Sequence, residues 1–230
     1  MLKIIAFSGG FMEFKAVFFD LDGTLVNSLI DLSVSVNYVL EKNGLPTHPV
    51  SAYKYFAGDG IAKMIERAMP EDKRTPDNID TLKSEFMLHY SVHYADNTIA
   101  YDGITELVDY LKKQGYKLAV VTNKAQEMAE KVVLKAFGNS FDYILGLREG
   151  LPAKPDPTGI FMAMKELNVS PKDCAFVGDT GMDVAAGVNS GAFPIGVLWG
   201  FREKSELEKF GAKAFAENAN ELKRLIVGVK

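Results

Sequence analysis

The chain is short of the features that mark several large classes of protein. It holds one cysteine, Cys174, so no disulfide can form within it, which is compatible with a reducing compartment. It has no basic excess: 26 Lys and Arg stand against 30 Asp and Glu, for a formal net charge of -4. A nucleic-acid binder would usually carry such an excess and a Lys/Arg stripe. No apolar run approaches the length of a membrane span, and there is no internal repeat or low-complexity tract. The opening "MLKIIAFSGGF" has one lysine and a short apolar patch, too short for the apolar region of a secretory signal. Residues 1–11 read as an N-terminal extension, with Met12 as an alternative start. These shortages point to a cytoplasmic protein with a small-molecule partner and away from nucleic acid and membrane; a monomer or homodimer is expected.

What the chain does have is enough apolar residue to fill a core, 47% hydrophobic against 24% charged over 230 residues. From about residue 98 the pattern alternates between strands and helices. "DGITELVDYLKKQG" places Ile104, Leu107, Val108 and Leu111 at helical spacing, with Gly115 as a stop. "YKLAVVTN", "FDYILG", "CAFVGD" and "FPIGVLW" are short apolar runs of the kind buried on both faces of a parallel sheet. Cys174 reads as a small strand residue within one of them. The alternation predicts a Rossmann-like, doubly wound α/β core spanning 12–27 and 98–230. Residues 28–97 show no strand signal and read as helical throughout, punctuated by Pro46, Pro49, Pro70 and Pro76. An all-helical block inserted after the first strand of a parallel sheet predicts a cap.

Parallel strands deliver their C-terminal ends to one edge. The first, "AVFF", runs into Asp20 and Asp22; "LAVV" runs into Thr122 and Asn123; "AFVG" runs into Asp179 and Asp183. Lys154 follows the "FDYILG" strand in the loop "AKPDP". Two carboxylates about 4 Å apart repel by roughly 4 kcal/mol at an effective dielectric near 20. One lysine offsets a single charge, whereas Mg²⁺ offsets two and prefers oxygen ligands. Gly23 would let the backbone turn beside a ligand, and Thr24 would hold that turn. Such a site suits a phosphoryl group: one aspartate attacks phosphorus and the other handles the proton.

"DLDGTL", "VVTNK", "KPDP" and "GDTGMD", in this order and each after a strand, resemble the four motifs of the haloacid dehalogenase superfamily of phosphotransferases. "YDGI", "KPDPTGI", "VGDTGMDVAAGVNSGA" and "GVLWGFR" are similar to the phosphoglycolate phosphatases within it. The resemblance implies Asp20 as nucleophile and Asp22 as general acid/base, with Mg²⁺ held by Asp20, the Asp22 backbone carbonyl, Asp179 and Asp183. It implies Thr122 and Asn123 as phosphoryl ligands and Lys154 as the group that steadies developing charge. The dehalogenases of the superfamily lack a carboxylate at the position of Asp22. The expected reaction is therefore Mg²⁺-dependent hydrolysis of a small phosphorylated metabolite, 2-phosphoglycolate foremost. A sugar-phosphate mutase, a phosphatase or pyrophosphatase of other preference, and a non-catalytic phosphometabolite-binding protein are the alternatives.

Substrate selection is expected from the insert. "AGDG" at 57–60 reads as a phosphate-type loop or as a plain helix start with Asp59 as cap, and the resemblance implies a third reading, a specificity loop with Gly58 and Gly60. Lys54, Lys63 and Arg67 are the candidates for a substrate carboxylate. His89 and His93 stand four apart on a helix but lack a third ligand, so they read as packing or surface residues, and Trp199 reads as packing at a strand end.

Overall fold

Strand β1 (Ala16–Phe19) is buried at all four positions, because it lies in the middle of a sheet with helices on both faces. The computed structural model describes residues 14–228, so the expected extension at 1–11 and the alternative start Met12 lie outside the described residues. After β1 the chain runs through β2 (Val26–Asn27), α1 (Leu29–Lys42), α2 (Tyr53–Phe56), α3 (Ile61–Ala68), α4 (Pro76–His93) and β3 (Ile99–Ala100). It continues through α5 (Ile104–Lys113), β4 (Lys117–Ala125), α6 (Gln126–Phe137), β5 (Tyr143–Leu147) and α7 (Thr158–Leu167). It ends with β6 (Cys174–Gly178), α8 (Gly181–Ser190), β7 (Phe193–Val197), α9 (Lys204–Phe210), β8 (Ala214–Ala216) and α10 (Ala219–Val227).

Six strands form one sheet in the order β5-β4-β1-β6-β7-β8, and every neighbouring pair is parallel. Alternate residues of each strand feed opposite faces. Val17, Phe19, Leu118, Val120, Ala175 and Val177 pack with α5, α6 and α10. Ala16, Phe18, Ala119, Val121, Cys174 and Phe176 pack with α7 and α8. Both faces are dry, which is why these strands read as unbroken apolar runs rather than as alternation.

The segment between β2 and β3 has its own apolar cluster. Leu32, Val36, Val39 and Leu40 of α1, Met64 and Ile65 of α3, and Leu82, Phe86 and Tyr90 of α4 are buried together, joined by Met128 and Phe201 from the other side. Two features tie its ends. β2 and β3 pair antiparallel, Val26 opposite Ala100 and Asn27 opposite Ile99. Buried Asp31, in the first turn of α1, accepts hydrogen bonds from Asn97 N and Nδ2 and from Thr98 N and Oγ1, at 2.7–3.0 Å.

The segment is not helical throughout. Extended links and single 3₁₀ turns occupy the stretches around Pro49 and Pro70, where proline removes the backbone donor a helix needs. The one-turn α2 and the two-residue ribbon β2–β3 carry too few residues for any periodicity to register. Asp59 does not cap α3 with its side chain; Gly60 is the N-cap, and Asp59 pairs with Arg67 at 2.5 Å. No helix among the described residues is long and apolar enough to cross a membrane.

Candidate active site

The C-terminal ends of β1, β4 and β6 meet because β1 lies between the other two. Asp20 follows β1 directly, and its N–H donates to Val177 O of β6, which fixes it at the sheet edge. Asp179 follows β6, and Asp183 sits in the first turn of α8. One carboxylate oxygen from each of Asp20, Asp179 and Asp183 falls within 4.8 Å of the others, and all three residues are buried.

Each aspartate is held by groups distant in sequence. Asp179 accepts from Thr24 Oγ1 at 2.7 Å and from Phe201 N at 2.8 Å. Thr24 thus braces a carboxylate 155 residues away rather than its own turn. Asp183 Oδ2 accepts from the N–H and Oγ1 of Thr180, which closes a capping box at the start of α8. Lys154, itself buried, brings Nζ to 2.7 Å from Asp20 Oδ1 and 2.6 Å from Asp183 Oδ1. Gly23 passes this crowd at φ +89°, and a Cβ there would lie 2.3 Å from Asp179 Oδ2. Only glycine meets both constraints.

The electrostatics are those of an overloaded anionic cluster. Burial, and then the Asp183 charge, push the Asp20 carboxyl up to about 6. Burial, Asp183 and Asp20 together push Asp179 well above the usual carboxylate range. Burial opposes the charge on Lys154, but Asp183 and Asp20 outweigh it and hold the ammonium protonated. The Lys154 cation therefore touches two of the three carboxylates, and among the described residues Asp179 has only the neutral donors Thr24 Oγ1 and Phe201 N. The buried Oδ1 of Asp20 has the Lys154 ammonium as its close partner. Three converging carboxylates and a surplus of negative charge fit a hard divalent cation with oxygen ligands.

The side chain of Asp22 turns elsewhere. Ser28 Oγ donates to its Oδ1 at 2.5 Å, and Lys124 Nζ lies 3.0 Å from each of its oxygens. Asp22 is thus outside the three-carboxylate cluster, although it lines the same cavity. That cavity lies between the sheet edge and the helices of residues 29–93. It is bounded by Asp20, Thr122 and Asn123 below and by Ala57, Gly58, Gly60, Met64 and Tyr90 above. The β4–β5 pairing register shifts between Val121 and Ala125, and Thr122, Asn123 and Lys124 are all buried there at the cavity. Asn123 Nδ2 donates to Gly58 O at 3.3 Å, across the seam.

The expected carboxylate ligands of the insert lie outside this cavity. Lys63 is paired with Glu66 at 2.6 Å on the surface. Arg67, engaged by Asp59, lines a separate cleft with Arg202. Lys54 contributes its carbonyl, which accepts from Arg202. His89 and His93 stack on each other, with His93 paired to Asp96 at 2.7 Å. Trp199 Nε1 donates to Thr24 O at 3.0 Å, which supports the Asp-x-Asp-Gly-Thr turn. Buried Cys174 has its thiol pushed up to about 12 by burial and is inert. Lys124 is the site residue that sequence reasoning passed over. Its signal was a lysine directly after the strand-end pair Thr122–Asn123.

Comparison with known proteins gives a consistent picture. A family model described as haloacid dehalogenase-like hydrolase matches residues 17–197. Among curated proteins, the phosphoglycolate phosphatase of Haemophilus influenzae is 35% identical over 198 residues, covering 82% of this chain and 88% of the relative. The Pasteurella multocida phosphoglycolate phosphatase shows the same identity and coverage. Among solved structures, a "putative phosphoglycolate phosphatase" from Lactobacillus delbrueckii subsp. bulgaricus superposes with a TM-score of 0.90 at 31% identity. That match covers 95% of this chain and 100% of the other.

Proposed function

The chain belongs to the haloacid dehalogenase-like hydrolases, and on that premise we propose that it hydrolyses small phosphomonoesters, 2-phosphoglycolate foremost, through a phosphorylated Asp20. The observation that carries this reading is the convergence of buried Asp20, Asp179 and Asp183 within 4.8 Å of one another, with the Lys154 ammonium touching two of them. Relatives named phosphoglycolate phosphatase supply the substrate.

Asp20, Asp179, Asp183 and the backbone carbonyl of Asp22 would hold Mg²⁺, which when bound neutralises phosphoryl oxygens and the local carboxylate charge. In the first half-reaction an Asp20 oxygen forms a bond to phosphorus while the bond to the ester oxygen breaks. Asp22 gives its proton to the departing oxygen. In the second, water attacks the phosphorus of the aspartyl-phosphate, Asp22 takes the water proton, and inorganic phosphate leaves with Asp20 restored. Thr122 and the Asn123 N–H bind phosphoryl oxygens throughout. Lys154, fixed between Asp20 and Asp183, stays charged and faces the negative charge that builds at the transferring group.

Residues 28–97 act as the cap in this reading, over a core of 12–27 and 98–230. Their tie points, the β2–β3 ribbon and the Asp31 cluster, bring both ends of the segment together beside Asp22. Gly58 and Gly60 form the part of the cap that faces the transferring group.

The test is a panel of phosphate esters assayed with Mg²⁺ and with chelator. Release of phosphate from 2-phosphoglycolate with the highest kcat/KM, and its loss in chelator, is the expected result. Absence of hydrolysis across the panel over a range of pH removes the proposal and favours a protein that only binds phosphometabolites.

A further inference from the structure

Lys124 stands at a junction that the phosphoryl chemistry does not use. Its side chain is 4% exposed, and Nζ contacts both oxygens of Asp22 at 3.0 Å and the Tyr90 hydroxyl at 2.7 Å. Asp22 comes from the loop after β1, Lys124 from the end of β4 and Tyr90 from α4 of the insert. Lys124 is the one cation among the described residues that line the cavity with Asp20 and Thr122. The rest of the lining beyond the sheet edge is apolar or backbone: Leu32, Ile61, Met64, Met128 and the 57–60 loop. Any negative group carried by a substrate, other than its phosphoryl, has no other cationic partner there.

Asp22 in this arrangement is occupied. Both of its oxygens face Lys124, and Ser28 holds one of them as well. An acid–base group so engaged is not free to reach an ester oxygen. Its release needs a replacement anion at Lys124, because a buried ammonium left without a partner is costly.

We propose that Lys124 and Tyr90 form the subsite for a carboxylate on the substrate's ester carbon, and that this carboxylate displaces Asp22 from Lys124 and frees it for proton transfer. The inference rests on the phosphatase reading above and extends it to selectivity. Recognition is shared between the core, through Lys124, and the insert, through Tyr90, so a substrate with this group also bridges the two. The carboxylate accepts from the ammonium, as Asp22 does now, and from the Tyr90 hydroxyl, whose oxygen at present accepts from Lys124 Nζ. Lys124 stays protonated in both arrangements, since burial is outweighed by Asp22 and Tyr90 in one and by the substrate's charge in the other. Lysine, as a compact point charge on a flexible stem, suits such an exchange of partners.

The test compares 2-phosphoglycolate with ethyl phosphate, which has a methyl group in place of the carboxylate, in the wild type, Lys124→Met and Tyr90→Phe. Lys124→Met is expected to lower kcat/KM for 2-phosphoglycolate about 10- to 100-fold more than for ethyl phosphate, as loss of a charge-assisted hydrogen bond implies. Tyr90→Phe is expected to move the same ratio in the same direction, by about 3- to 10-fold. Calorimetric binding of 2-phosphoglycolate to Asp20→Asn, with and without Lys124→Met, reads the subsite apart from turnover and is expected to weaken in step. Equal losses on both esters would mean that Lys124 serves Asp22 alone, and would overturn the subsite while leaving the phosphatase reading intact. Wild-type protein inert on both esters overturns that reading and the subsite with it.

Discussion

Replacing Asp20 by asparagine should stabilise the metal-free protein while ending turnover, and the size of the gain should depend on pH. Buried Asp20 has its carboxyl raised from 3.8 to about 6, chiefly by burial and then by Asp183. A carboxyl raised on folding is easier to ionise in the unfolded chain. The metal-free fold therefore keeps its full stability below about 3.8 and loses it progressively until the pH has passed about 6. The displacement corresponds to at most about 3 kcal/mol at pH 8. Asparagine keeps the shape and drops the charge, and Lys154 retains Asp183 at 2.6 Å as its counter-ion. We expect Asp20→Asn to gain about 1–3 kcal/mol at pH 8 in chelator, or about 2–10 °C in Tm for a chain of this size. The gain should shrink through pH 6 and vanish near pH 4. Added Mg²⁺ should raise the Tm of the wild type more than that of the variant, because the variant offers one charged ligand fewer. Calorimetric melts at three pH values, with and without Mg²⁺, give the full comparison. A variant that is less stable at pH 8, or a gain that does not change with pH, would refute the charge-crowding argument. Retained phosphatase activity would refute the covalent role of Asp20.

Three further substitutions probe the same frame. Lys154→Met leaves Asp20 and Asp183 without their shared cation, so a loss of about 3–5 kcal/mol is expected at pH 8, and a smaller one at pH 5 where Asp20 takes up a proton; urea melts at both pH values check it. Gly23→Ala drives a Cβ to 2.3 Å from Asp179 Oδ2 at a φ of +89°, so loss of Mg²⁺ affinity and about 2 kcal/mol or more of stability are expected, measured by Mg²⁺ titration and thermal melts. Asp31→Ala strips the buried acceptor from Asn97 and Thr98 and should cost about 2–4 kcal/mol in a denaturant melt, with Asp31→Asn recovering part of it.

The sequence by itself determined the layered core. Alternation of short apolar runs with helical spacing is a local steric signal, and five of the six strands of the sheet, all but the three-residue β8, fall on the runs read from the sequence. It also determined that Asp20, Thr122, Asn123 and Asp179 would share an edge, because parallel strands all end on the same side. The two-residue ribbon, the broken helical stretches and the one-turn α2 were illegible, since three or four residues carry no period. Only the tertiary structure decided who pairs with whom. Lys154 is shared by Asp20 and Asp183, Thr24 braces Asp179, and Asp22 leans on Lys124 instead of joining the three-carboxylate cluster. Lys63 and Arg67 looked like cap ligands, yet Glu66 and Asp59 hold them outside the cavity with Asp20. Charges are placed by whatever opposite charge the docked elements bring within a few ångström, and that partner is set by contacts spanning tens to hundreds of residues. A chain position names the charge; packing assigns its neighbour.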